Sequence, residues 1–89
     1  MTVNQVMTRL TVSALVQEQH DKYAEQEKGL RERGYAFLAD YLKAAQSRLD
    51  DLQVQISMAQ EPSAIKEAHR QSLVVAGDSC VFMASQMEL

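Results

Sequence analysis

With no tryptophan, one cysteine, one proline and three glycines among 89 residues, the chain lacks most of the usual breaks in regular structure. The single cysteine, Cys80, cannot close an internal disulfide, so neither a disulfide-stapled fold nor an oxidising compartment is implied. The chain also lacks an excess of either charge. Nine basic and twelve acidic residues are interleaved along it, for a net charge of -3. That balance carries no basic footprint for nucleic acid, which is not expected as a partner. No apolar run approaches the roughly 18 residues of a transmembrane helix, and the opening "MTVNQVMTRLTVSALVQ" lacks the basic and apolar regions of a signal peptide. A cytoplasmic chain without a transmembrane segment is the expectation.

Chemistry is equally sparse. There are two histidines, His20 and His69. Neither sits at the Glu-x-x-His or His-x-x-x-His spacing that puts two ligands on one helix face. Glu18, Asp21 and Glu25 share a face near His20, a pattern that reads as a solvated helix surface rather than a cation site. There is no Gly-rich phosphate loop, no Ser-centred elbow and no cysteine set for zinc. No catalytic, cofactor-binding or metal-binding residue is therefore assigned, and an enzyme is not expected.

What the chain does have is helix-forming composition, rich in Ala, Gln, Glu, Leu, Met, Lys and Arg. Its clearest pattern lies in "GYAFLADYLKAAQSRLDDLQVQISMAQ". There Tyr35, Leu38, Leu42, Ala45, Leu49, Leu52, Ile56 and Ala59 alternate spacings of three and four over about three and a half heptads. This predicts a long helix, with Asp40, Lys43, Ser47, Asp51 and Gln55 on its wet side. "QEPSA" then stops it. The residue before a proline avoids the α region, while Pro62 suits the first turn of a second helix served by Glu61 or Ser63. The turn is expected over residues 60–63.

The stretch "SLVVAGDSCVFMASQM" permits two readings. As a strand pair it would turn at Gly77-Asp78-Ser79, and its three valines favour that. As a helix it continues "SAIKEAHRQSL" without a stop signal, and Leu73, Ala76, Cys80, Met83 and Met87 form a second seam. Reflection about position 60 places Leu73, Cys80 and Met83 near Leu49, Leu42 and Leu38. The helix reading explains that match, and the expectation is that this seam faces the long helix. Val74, Val81 and Ala84, and separately Val75 and Phe82, make further apolar lines. A helix apolar on several faces is buried on several faces. Gly77 is expected to mark a close backbone approach by another element.

In the N-terminal third, "TVNQ" resembles a capping box formed by Thr2 and Gln5. Val3, Val6, Met7, Leu10 and Ala14 share a helical face that either folds back on the hairpin or reaches a neighbour, although "LTVSALV" also alternates as a strand would. Residues 17–33 are almost all polar. The pairs Glu18–Lys22, Glu27–Arg31 and Lys28–Glu32 support an exposed helix, and Gly29 and Gly34 bracket a bend or break. The fold class is therefore all-α in one small domain, residues 1–89. An N-terminal helix over 1–33 joins a helical hairpin over 35–88, as a small bundle or an intermolecular helical assembly.

The run "LKAAQSRLDDL" followed by "EPSAIKEAHRQSL" resembles the phasins that coat polyester granules. The layout of a long helix, a proline turn and a shorter apolar helix is similar to hairpin-type co-chaperones of type III secretion. These resemblances rest on apolar spacing and assign no residues. They imply either binding of another protein or coating of a surface. The functional expectation is a protein–protein interaction module, a small chaperone, inhibitor or assembly subunit, acting on another protein or on a second copy of itself. An amphipathic coat for lipid or polymer is the alternative. The candidate partner-binding residues are Val74, Val81, Phe82, Phe37 and Met83.

Overall fold

The computed structural model describes residues 3–87 and contains three helices and no strand among them. They are α1 (Val3–Glu32), α2 (Ala36–Met58) and α3 (Pro62–Met87). The fold is all-α, and the stretch from 72 to 87 is helix throughout. The capping box expected at Thr2 lies outside the described residues. Helix α1, with 30 residues, spans about 45 Å and sets the long dimension of a 48 × 20 × 15 Å body.

The first turn is made by Gly34, whose φ of 85° is one that residues with a Cβ rarely adopt. The Gly34 N–H donates to the Arg31 carbonyl at 3.2 Å, and the Tyr35 N–H donates back to the Leu30 carbonyl at 2.9 Å. These two bonds close a Schellman motif, so α1 ends at this glycine and runs unbroken through Gly29. At the second turn Ala59 is extended, Pro62 opens α3, and the Ala64 N–H donates to the Glu61 carbonyl at 3.1 Å. The chain breaks where the proline requires it to.

α1 and α2 pack antiparallel and share the most extensive contact; α3 lies mainly against α2 and touches α1 least. The α2 seam forms the core as expected, with Leu42, Ala45, Leu49, Leu52, Ile56 and Ala59 all buried, joined by Ala39. Tyr35, expected at the head of that seam, is exposed instead, because it belongs to the turn and precedes the first helical residue.

The α1 helix folds back by a face other than its most apolar one, and the expected phase of α3 is corrected. In α1 the inward line is Val12, Val16 and Tyr23, with Leu30 packed beside it, while Val3, Val6, Met7, Leu10 and Ala14 point outward. The reason is polar. Arg9, Ser13, His20 and Glu27 lie on the α2 side because each finds a partner there. The Arg9 guanidinium donates to the carbonyls of Ser57 (2.8 Å) and Ala59, capping the end of α2. The Ser13 hydroxyl donates to Gln53 Oε1, and Gln53 Nε2 donates back to the Ser13 carbonyl, each at 2.8 Å. His20 Nε2 meets Asp50 at 3.2 Å. Gln46 Nε2 donates to Glu27 at 2.7 Å, and hydrogen bonds from Arg31 and Gln46 hold the Glu27 carboxyl below its ordinary pKa. The ladder fixes the α1–α2 register while the apolar line between its rungs supplies burial.

In α3 the buried line is Ile65, Ala68, Ser72, Val75 and Ser79, with Phe82 half-buried at its end. The seam expected to face α2 does not: Leu73 and Cys80 are exposed, and the side chain of Met87 lies outside the described residues. Ile65 and Ala68 decide the phase. Helix α3 is continuous from Pro62, so burying these two residues carries Ser72, Val75 and Ser79 inward at the same three-four spacing.

Candidate interaction surfaces

The rotation of α3 determines what the molecule shows to its surroundings. Opposite its buried line, the first half of α3 presents Lys66, Glu67 and Arg70. The second half presents Leu73, Val74, Gly77, Cys80, Val81 and Ala84, all exposed and none charged. Leu73, Val74 and Val81 are 60%, 43% and 70% exposed. Large apolar side chains scattered singly on a surface need no explanation, but a contiguous stripe two to three turns long marks a surface that meets something. Gly77 lies in the middle of this stripe. The close backbone approach expected there is not made among the described residues, since no heavy atom beyond its own helical turn lies within 4 Å of the position its Cβ would take.

Beside the stripe, α3 leans away from α1 and opens a cleft of about 850 Å³. Tyr23 and Leu30 of α1, Leu42 of α2, and Ala76, Cys80 and Met83 of α3 line its apolar part. Lys22 and Arg33 stand on its walls. Three members of the expected α3 seam thus look into this cleft rather than onto α2. A second apolar stripe runs along the N-terminal part of α1, through Val3, Val6, Met7, Leu10 and Ala14.

The five candidate residues fall in three places. Val74 and Val81 are one line of the α3 stripe. Met83 is half-buried in the cleft. Phe82 turns inward and stacks on Tyr41, with ring centroids 3.8 Å apart and planes within 8°. Phe37 stands 68% exposed at the rim of that stack, 5.7 Å from Phe82. The aromatic contact ties the start of α2 to the end of α3, with Phe37 at its open edge.

No group of three or more His, Cys, Asp or Glu side chains is placed to hold a metal ion among the described residues. No described helix is long and apolar enough to cross a membrane. The sequence pattern contains the α1 stripe but gives no role to Arg9 or to the polar contacts that turn this stripe outward. The signal for these contacts was partner chemistry: reflection of α1 onto α2 about Gly34 sets Arg9 opposite Ala59, Ser13 near Gln53 and His20 near Asp50. No protein-family model, no curated protein and no solved structure matches the chain.

Proposed function

We propose that this chain is a non-enzymatic protein–protein interaction module, an assembly subunit, small chaperone or inhibitor that works through its apolar helix faces. The observation that carries the reading is the uncharged stripe from Leu73 to Ala84, left uncovered by the two helices of its own chain. A monomer keeping this stripe in water forgoes the burial that ordinarily drives association. The polar ladder between α1 and α2 fits the same role, because it holds the scaffold in one register while α3 presents the face.

The coat reading has one observation of its own, the outward stripe of Val3, Met7 and Leu10. Its polar side lacks the lysine and arginine that interfacial helices usually carry, and Arg9 there is committed to the end of α2. The protein-binding reading is therefore preferred. The test compares wild type with Val74→Asp/Val81→Asp by light scattering over a tenfold concentration range, with flotation on anionic phospholipid vesicles in parallel. The reading expects the double substitution to remove whatever association the wild type shows while helicity stays, and no flotation. Flotation of the wild type, or association untouched by the two aspartates, would overturn it.

A further inference from the structure

The α3 stripe has a symmetry that bears on its partner. Counted from Gly77, Val74 and Cys80 lie three residues away, Leu73 and Val81 four, and Arg70 and Ala84 seven. Reversing the direction of the helix about Gly77 therefore lays Val74 on Cys80 and Leu73 on Val81, with Arg70 meeting Ala84 at each end. We propose that the stripe pairs with the same stripe of a second copy, antiparallel, with the two α3 helices crossing at Gly77. This rests on the protein-binding reading above and names the partner.

Four observations favour that occupant. A two-fold interface must be self-complementary, and this pattern is so without adjustment. Gly77 costs about 1 kcal/mol relative to alanine in a helix interior. Nothing among the described residues uses the missing Cβ, whereas a crossing helix would. Charge decides the direction. A parallel pair would set Lys66 and Arg70 against their own copies. The antiparallel pair sets each Arg70 against Ala84, and the stripe between them holds no charge to repel. Asp78, one residue to the side, lies 3.9 Å from Arg48 of its own chain. Area is consistent with a weak pair: with all six stripe residues covered, the two copies would bury on the order of 800–1,000 Å² in all, the size of transient contacts, and half-formation at about 10–100 μM is expected.

The register is testable with the native thiol. In this pairing Val74 of one copy lies level with Cys80 of the other. The two Cys80 residues are displaced by about 9 Å along the helix axis, and residue 84 lies about 15 Å from the partner's Cys80. A disulfide needs Cα atoms within roughly 7 Å. The full-length Val74→Cys variant, which retains Cys80, is oxidised at about 100 μM beside wild type and Ala84→Cys, and linkages are read by non-reducing gel and peptide mapping. The expected result is a covalent dimer joined through positions 74 and 80, about tenfold more abundant than in either control, and lost when Val81→Asp is added. Equal cross-linking of Val74→Cys and Ala84→Cys, or efficient dimerisation of wild type through Cys80, overturns the pairing. A dimer by light scattering that fails this test refutes the register while leaving the protein-binding reading standing. A wild type monomeric at that concentration refutes the self-pairing itself.

Discussion

Ser79 is the residue whose replacement should most clearly separate this packing from a generic helical hairpin. It is 2% exposed, on the buried line of α3, and its hydroxyl has no hydrogen-bond partner among the described residues. A buried hydroxyl without a partner costs about 1–3 kcal/mol, and serine lies roughly 0.5 kcal/mol below alanine in helix propensity. Removing one oxygen leaves a void that takes back a fraction of this gain. Ser79→Ala should therefore stabilise the fold by about 1–2 kcal/mol, or about 5–10 °C in melting temperature for a domain of this size. Ser72 is the internal control. It shares the buried line but donates to the His69 carbonyl at 2.6 Å. Ser72→Ala gains the same propensity and loses that bond, so its effect should stay within about 0.5 kcal/mol of zero. Urea unfolding followed by circular dichroism at 222 nm, at one fixed protein concentration, resolves the two. A destabilised Ser79→Ala, or two variants that behave alike, would refute the assignment of α3's buried face.

Three further outcomes follow from the same packing. Leu49→Ala, at a fully buried position on α2, should cost about 2–5 kcal/mol and flatten the unfolding transition, as read by denaturant melts. Arg9→Ala should cost about 1–2 kcal/mol, because it uncovers the Ser57 and Ala59 carbonyls, and hydrogen exchange should speed up first at the end of α2. Hydrogen bonds from Arg70 and then Gln71 lower the Glu67 carboxyl from 4.5 to about 2. A carboxyl depressed on folding stabilises above its unfolded value and loses that contribution as pH falls toward 2. The side-chain carboxyl signal of Glu67 should titrate near 2 by NMR and return toward 4.5 in Arg70→Ala. Stability at neutral pH should change little, because the pair is solvent-exposed.

How far the sequence could be read depended on which residues carried the packing. α2 was legible because its inward line is wholly apolar, and one line of leucine, isoleucine and alanine admits one phase. The proline turn was legible for the same kind of reason, since Pro62 forbids the alternatives. α1 was less legible because its inward face mixes Val12, Val16 and Tyr23 with Arg9, Ser13, His20 and Glu27. The more conspicuous apolar face, Val3, Met7 and Leu10, points outward, and only the cross-helix hydrogen bonds mark the other side. α3 was misphased because its apolar residues outnumber what one face can hold, and two serines sit on the true core line. The phase lay in Ile65 and Ala68, in the polar half, where the pattern looked least informative.

The candidate surface was legible in part for a related reason. Surplus apolarity in α3 signalled that some face would remain uncovered, and Val74 and Val81 lie on that face. Phe82 belongs to the aromatic stack with Tyr41 and Met83 to the cleft, placements that need the rotation of α3 to be known. The symmetry about Gly77 is present in the sequence, but it gains meaning only once the stripe is seen to be outward.

Amide hydrogen exchange of the wild type at two concentrations, one well below and one well above about 50 μM, tests the account most directly, because it reads burial helix by helix. The account predicts that raising the concentration slows exchange within residues 73–84 and leaves the N-terminal stripe of α1 unchanged. Slowing confined to residues 3–14, or no dependence on concentration anywhere, would contradict it.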